Sequence, residues 1–215
     1  MADDVTPPPA GPDPWRTLGT REVYDNAWIR VREDRVVRPD GAAGIYGVVS
    51  FKTLALGAVV RFDNDDTLLV GQHRYTVGAW SWEIPEGGAH PAAEPLAEVQ
   101  RELREETGLV AARWTPLGGL HTSNSATDEA GALWLAEDLT QHAAAPDPTE
   151  DLRLWRLPLA AAHARAMDGT FTDSLTIIGL CRALHLIAAR GAGDGRGRDV
   201  GATARASSRP PPARP

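Results

Sequence analysis

Residues 87–109 decide the fold of this chain, and they read GGAHPAAEPLAEVQRELREETGL. A proline stands where a helix over residues 95–107 would begin, and Gly108 follows where that helix would end. Apolar residues recur at helical spacing and form a stripe that can face a core, namely Leu96, Val99 and Leu103. The stretch therefore predicts an amphipathic helix that is entered from a glycine-containing loop.

A second face of this predicted helix carries glutamates at steps of three and four residues: Glu98, Glu102, Glu105 and Glu106. Like charges at this spacing repel one another, and a bound cation would remove the repulsion. Mg²⁺ prefers carboxylate oxygens and commonly accompanies phosphate substrates, and Mn²⁺ can substitute for it. A solvated acidic face, balanced by Arg101 and Arg104, is the alternative interpretation.

Residues 101–109, RELREETGL, resemble the second half of the Nudix box, R-E-U-x-E-E-x-G-U, in which U is aliphatic. Gly87 stands where the first glycine of that box belongs, and the long pattern with fixed spacing is specific. Ala93 occupies a position where the family usually has glutamate, and Glu94 comes one residue late. We expect this departure to alter the fine tuning of the site more than the activity itself.

The resemblance implies a Nudix fold and a divalent-metal-dependent cleavage of a diphosphate. It makes Glu102, Glu105 and Glu106 the metal ligands, and the backbone carbonyl of Glu86 a further candidate ligand. It also gives catalytic roles to Glu105, Glu106 and Arg101, the arginine holding the carboxylates in place.

Two segments before the box resemble the ADP-ribose and nucleoside-diphosphate-sugar pyrophosphatase branch of this family. They are GQHRY at residues 71–75 and WSWEIPEGG at residues 80–88, which match Q-x-R…W-E-x-P-x-G. The match implies that Arg74 contacts the diphosphate, although a surface arginine at a strand end is the alternative. Trp82 of the second segment is interpreted as a core residue.

Segments after the box also resemble this branch, and the whole resemblance covers about residues 15–189. The stretch 121–129 is similar to a loop that often ends in an acidic pair, which makes Glu129 a candidate substrate-binding residue. The stretch 146–152 is similar to an acidic loop, which makes Glu150 the best candidate for the general base. A plain loop carboxylate is the alternative, and Pro148 replaces the additional acid of the family, so the base stays open.

The region 15–51 corresponds to N-terminal strands that commonly exchange between two subunits in this branch. The resemblance thus implies a homodimer, with residues of both subunits at the base pocket and Trp28 as a stacking candidate.

The order of predicted elements indicates mixed α/β layers with a sheet between helices, an α/β/α sandwich with an added N-terminal antiparallel region. Period-two alternation within residues 28–37 and continuous apolarity over 54–62 predict strands. The turn signal at 63–66 predicts a hairpin with a strand over 67–72. Further elements are predicted as strands at 132–136 and 152–157, a helix at 158–167, and a helix capped by Asp173 and running to about 189.

Composition limits the other possibilities. A net charge of −7 disfavours nonspecific nucleic-acid binding. The sequence has no apolar run long enough to predict a membrane span. Cys181 is the single cysteine, which favours a reducing cytoplasm. Residues 1–14 and 191–215, rich in proline and in small residues respectively, are predicted to be disordered tails around one domain over 15–190.

These observations predict magnesium-dependent hydrolysis of a nucleoside diphosphate sugar, with ADP-ribose cleaved to AMP and ribose 5-phosphate as the leading reaction. Another Nudix diphosphatase, acting on GDP-sugars, UDP-sugars or nucleoside triphosphates, is the first alternative. A catalytically inactive Nudix-fold binding module is the second, because a fold does not dictate a function.

Overall fold

The computed structural model describes residue 7 and residues 9–145 and 151–194. Seven strands precede the first helix, three strands follow it, and two helices close the described part. The elements are β1 Arg16–Asp25, β2 Ile29–Val37, β3 Ala43–Phe51, β4 Leu54–Val60, β5 Asp66–Arg74, β6 Ala79–Glu83, β7 Glu86–Ala89, α1 Pro95–Thr107, β8 Leu109–His121, β9 Ala130–Gln141, β10 Arg153–Pro158, α2 Leu159–Met167 and α3 Ser174–Asp194.

The strands β1, β2 and β3 form a separate antiparallel sheet, as the N-terminal resemblance implied. This N-terminal sheet reaches the body of the protein through β3. The backbone N–H of Val49 donates to the carbonyl of Ala126 at 2.9 Å, and the hydroxyl of Tyr46 donates to the carbonyl of Ser125 at 2.6 Å. Ser50 Oγ donates to Asp128 Oδ2 at 2.7 Å and adds a side-chain link. The N-terminal sheet is therefore bound to the body by hydrogen bonds to the loop before β9.

The body is an α/β/α sandwich, as predicted. Its central strand β4 pairs antiparallel with β7 and parallel with β9. Alternate residues of β4 face opposite sides, so Leu56, Ala58 and Val60 pack with the apolar stripe of α1. Val59 packs on the other side with apolar residues of α2 and α3. Burial on both faces explains why this strand is continuously apolar.

The predicted hairpin between β4 and β5 is wrong. The turn itself forms, with the N–H of Phe62 donating to the carbonyl of Asp66 at 2.9 Å. However, β5 lies in a different sheet, between β10 and β6. Both edges of β4 are already paired, so the chain can turn after β4 without β5 becoming its neighbour.

The helix α1 has the predicted bounds, and its ends are capped by side chain and backbone. Glu94 is the N-cap residue, and its carboxylate accepts from the N–H of Ala97 at 2.9 Å. Gly108 ends the helix in the left-handed region with φ of 71°, where glycine is favoured. The glutamate that comes one residue late in the box thus has a capping role.

The last helix, α3, begins as predicted, because Asp173 Oδ2 accepts from the N–H of Thr176 at 2.7 Å. It continues to Asp194 rather than ending near residue 189, so residues 191–194 of the predicted tail are helical. Over Ser174–Ala192, with a mean hydropathy of 1.4, α3 is the one described helix long and apolar enough to span a bilayer. Its residues Leu175, Leu180 and Ala183 are buried in the core, and 28% of this window is buried in all. Residues 1–6, residue 8 and residues 195–215 of the predicted tails lie outside the described residues.

Candidate active site

Arg101 lies among the glutamates of α1. Its Nη1 approaches Glu105 Oε2 at 2.6 Å, and its Nη2 approaches Glu102 Oε1 at 2.6 Å and Glu98 Oε2 at 3.1 Å. Burial disfavours its charge, but the surrounding carboxylates raise the pKa of Arg101. The predicted crowding of acids is therefore real, and an arginine of the same helix partly balances it.

Glu106 is the most buried of the four glutamates of α1. Only 5% of this residue is exposed, and its Oε2 accepts from the backbone N–H of Glu86 at 3.2 Å. One turn earlier, the carboxyl group of Glu102 lies so close to Gly87 that any Cβ there would overlap it. The loop before the box therefore touches two carboxylates of α1, and Gly87 permits one of these contacts.

Arg74, at the end of β5, is held by two acids of the segment that leads into the box. Its Nε donates to Glu83 Oε1 at 2.9 Å, its Nη2 donates to Glu83 Oε2 at 2.5 Å, and Nη2 also donates to Glu86 Oε1 at 2.7 Å. Glu83 is almost fully buried, whereas 38% of the Arg74 side chain is exposed. Burial alone would lower the pKa of Arg74, but the hydrogen bond and charge of Glu83 raise it further above its usual value. Arg74 is thus a fixed cation at the surface.

A second group of carboxylates, Glu83, Glu86 and Asp173, converges beside Arg74. One oxygen of each lies within 4.8 Å of the others. Burial, followed by the charges of Asp173 and Glu83, raises the pKa of Glu86 well above its usual range, and Arg74 opposes this only in part. Within the described residues, the buried Glu86 Oε2 has no hydrogen-bond partner.

These observations test whether the residues fit a divalent cation. The donors on α1 and at its entry loop are hard oxygens, the class that Mg²⁺ and Mn²⁺ prefer. Because Gly87 has no Cβ, the loop backbone can lie directly against the carboxyl group of Glu102. Glu106 is almost completely buried. Among the described residues, the oxygens that converge closely enough to hold such an ion are those of Glu83, Glu86 and Asp173. Glu102 and Glu105 are paired with Arg101 instead.

Two predicted site residues lie elsewhere. Trp28 precedes β2 in the N-terminal sheet and is 71% exposed, with its carbonyl accepting from the N–H of Lys52. Glu129 lies just before β9, where its carboxylate accepts from the hydroxyl of Thr122. Glu150 falls outside the described residues, so its predicted role stays a prediction.

The structure also places at the site residues that were not predicted to belong to it. In the sequence analysis, Glu83 is only part of the W-E-x-P match, and Asp173 is only the predicted cap of the last helix. Thr176 is fully buried, and its hydroxyl oxygen accepts from the N–H of Ile84 at 2.9 Å across 92 positions of sequence. Two residues so far apart in the sequence form no local pattern from which their contact could be predicted. Trp82, in contrast, is half-buried and packs edge-on against Trp155 at 5.1 Å between ring centroids, at the margin of the core.

An α/β/α sandwich that presents helix carboxylates beside a fixed arginine is suited to a divalent-cation-dependent enzyme acting on phosphate groups. The family comparison identifies the class more closely. The NUDIX domain profile matches residues 52–174, which is more than half of the chain, and a profile described as "nucleoside diphosphate sugar hydrolase N-terminal domain" matches residues 15–49. The chain belongs to the Nudix family, as a Nudix hydrolase of the branch that carries this N-terminal domain.

Individual relatives agree with this assignment. The ADP-ribose pyrophosphatase of Mycobacterium tuberculosis is 31% identical over 180 residues, which cover 80% of this chain and 84% of the relative. The CMP-5'-(N-acetyl-N-hydroxy-3-aminopropyl)phosphonate hydrolase of Streptomyces rubellomurinus is 27% identical, with 82% and 85% coverage. A crystal structure of an ADP compounds hydrolase superposes with a TM-score of 0.75 at 20% identity, covering 85% of this chain and 99% of that one. The last comparison supports the fold alone.

Proposed function

We propose that this protein hydrolyses the diphosphate of a nucleoside diphosphate sugar in a Mg²⁺-dependent reaction, with ADP-ribose cleaved to AMP and ribose 5-phosphate. One observation carries the proposal. Arg74, a cation suited to a diphosphate, is fixed by Glu83 and Glu86, and the N–H of Glu86 in turn contacts Glu106 of the box. A phosphate-binding group and a metal-binding group are thus joined through a single residue.

Glu102, Glu105 and Glu106 would hold the ion, together with the carbonyl of Glu86. When bound, a divalent ion of this kind stabilises negative charge on phosphate oxygens and lowers the pKa of a water molecule. Arg74 would bind a diphosphate oxygen and orient the phosphorus for attack by water. Arg101 would keep Glu102 and Glu105 in place through its two bonds of 2.6 Å. The attacking water must lose a proton, and Glu150 is our candidate to accept it.

The name of the mycobacterial relative supports ADP-ribose as the leading substrate. The Streptomyces relative is named for a different nucleotide, so the family fold by itself does not select the base. We further propose a homodimer in which Trp28 and Glu129 contribute to substrate binding, and a cytoplasmic location, in line with the single cysteine. No membrane or nucleic-acid partner is part of the proposal.

A substrate screen tests it directly. The full chain is incubated with Mg²⁺ and, separately, with ADP-ribose, GDP-mannose, UDP-glucose and the nucleoside triphosphates, and products are separated by ion-exchange chromatography. We expect AMP and ribose 5-phosphate from ADP-ribose, with a higher kcat/KM than for the other compounds and no reaction in the presence of EDTA. Faster cleavage of a GDP-sugar, a UDP-sugar or a triphosphate would show that this compound, and not ADP-ribose, is the preferred substrate. If no compound is cleaved, the result favours a binding module.

A further inference from the structure

We infer that Thr176, on the first turn of α3, is a positioning residue for the site at the entrance to the box. The inference rests on the proposed function, because it concerns how the chain holds the groups that would bind the ion and the diphosphate. Thr176 touches neither of these directly, and it would act through the backbone of Ile84.

Three consecutive residues of the entry segment are each fixed by a different element. The N–H of Ile84 donates to Thr176 Oγ1 of α3 at 2.9 Å. The carbonyl of Pro85 accepts from the N–H of Ala58 of β4 at 2.9 Å. The N–H of Glu86 donates to Glu106 Oε2 of α1 at 3.2 Å. The hydroxyl of Thr176 is the only side-chain hydroxyl among these three anchors.

The position of this segment matters because both of its ends carry site groups. Glu83 precedes Ile84 and binds Arg74, and Glu86 follows Pro85 and binds both Arg74 and Glu106. A shift of Ile84 therefore moves the partners of Arg74 relative to the carboxylates of α1. Groups that orient a metal site through hydrogen bonds typically alter its affinity or activity by about 10- to 100-fold when removed.

Packing alone does not replace the hydroxyl. The side chain of Ile84 lies against Gly57 of β4 and Gly179 of α3, where a Cβ would come within 2.7 Å and 3.2 Å of its Cδ1. These contacts locate the side chain between two elements. The N–H of Ile84, however, is buried with Thr176, and a buried N–H without an acceptor is costly. We expect the segment to shift so that this N–H finds another partner.

The test compares Thr176→Val, which removes the hydroxyl at nearly constant volume, with Thr176→Ser, which keeps it. Thr67→Val is the matched control, since Thr67 is also fully buried but lies at the other end of β5 from Arg74, and its Oγ1 has no partner within the described residues. Mn²⁺ binding to the full chain is measured by electron paramagnetic resonance without substrate. The Mg²⁺ concentration for half-maximal ADP-ribose cleavage is measured in parallel.

We expect Thr176→Val to weaken Mn²⁺ binding and to raise the half-maximal Mg²⁺ concentration, each by about 10-fold or more. Thr176→Ser and Thr67→Val should both stay within about threefold of the unmodified protein, since one keeps the hydroxyl and the other lacks a bond to lose. If Thr176→Val does not fold, Thr176→Cys, with a weakly accepting sulfur of similar size, takes its place with the same expected result.

Unchanged Mn²⁺ binding in Thr176→Val overturns the inference. So does equal weakening in Thr176→Ser, which would assign the effect to the methyl group, or in Thr67→Val, which would assign it to the core in general. An unmodified chain that binds no Mn²⁺ also overturns it. If the unmodified chain binds Mn²⁺ but cleaves no nucleotide sugar, the proposed function fails while the binding comparison still decides the role of Thr176.

Discussion

The carboxylate of Glu106 is almost completely buried, and a buried charge needs a compensating partner. The N–H of Glu86 supplies one hydrogen bond, and the proposed divalent ion would supply the opposite charge. Changing Glu106 to Gln keeps the shape and removes the charge. We expect kcat to fall by about 10²-fold or more with the fold intact, because metal-ion stabilisation is worth several kcal/mol.

Steady-state kinetics and circular dichroism of Glu106→Gln check this expectation. Glu98→Gln is the control, since Glu98 lies on the same helix and also contacts Arg101 but stands outside the R-E-U-x-E-E pattern. It should keep most of its turnover. A folded Glu106→Gln protein with near-normal kcat would refute the metal-binding role.

Arg74 is the residue that would distinguish phosphate recognition from base recognition. If it binds the diphosphate, Arg74→Ala should lower kcat/KM for ADP-ribose and GDP-mannose alike, by about 1.5–3 kcal/mol, the range for a hydrogen bond to a charged group. Arg156→Ala is the control, because Arg156 pairs with Asp66 at the opposite end of β5. A large loss on one substrate and none on the other would mean that Arg74 contacts the base or the terminal sugar.

At the scale of elements, prediction from sequence worked where the signal is local. The bounds of α1 follow from Pro95, the apolar stripe and Gly108, all within one stretch. The pairing of β4 does not, because its neighbours β7 and β9 come later in the chain and the turn at residues 63–66 carries no information about them. In the site, the carboxylates of α1 were predictable as a motif. The bond from Ile84 to Thr176 was not, since it joins distant parts of the chain.

Arginines from β8, from α3 and from the turn after β4 meet at Glu137 of β9, whose side chain is only 3% exposed. It binds Arg61, which follows β4, at 2.9 Å, Arg190 of α3 at 2.8 Å and Arg113 of β8 at 3.2 Å. Burial alone would raise the pKa of Glu137, but the hydrogen bonds from Arg190 and Arg61 lower it below its usual value of 4.5. This buried carboxylate therefore ties α3 to the sheet beneath it.

Glu137→Gln should destabilise the fold by about 1–3 kcal/mol at pH 7, because a charged acceptor for three arginines is lost. A carboxyl group with a lowered folded-state pKa stabilises the fold above its unfolded value and loses that contribution as pH falls through the folded value. The difference between variant and unmodified protein should thus shrink below pH 4.5, the usual value for the group. Urea unfolding at several pH values measures it. Asp138→Asn, which affects an exposed pair with Arg113, should cost less than about 0.5 kcal/mol, and an equal cost for both variants would contradict the prediction.

At the scale of the whole molecule, the N-terminal sheet is joined to the body mainly along β3 and leaves large apolar side chains in solvent. Ile45 is 68% exposed and Trp28 is 71% exposed, and Leu18, Val23 and Tyr24 are about half exposed. Exposed apolar residues gathered on one sheet are typical of an interaction surface. On the body, Tyr75 and Val77 are exposed at the turn between β5 and β6, Trp80 is exposed near the start of β6, and Met167 is exposed at the end of α2.

We expect this sheet to form the interface of a twofold homodimer, in which one patch pairs with its own copy. Light scattering after size exclusion should give twice the chain mass at micromolar concentration. Ile45→Glu should shift the protein toward the monomer, since a charge in the interface would lose its hydration. Met167→Glu, at a residue of the body that is 55% exposed, should leave the dimer intact. If the base pocket includes residues of both subunits, the Ile45→Glu monomer should also show a raised KM for ADP-ribose. A fully active monomer of the unmodified protein would refute both the dimer and the shared pocket.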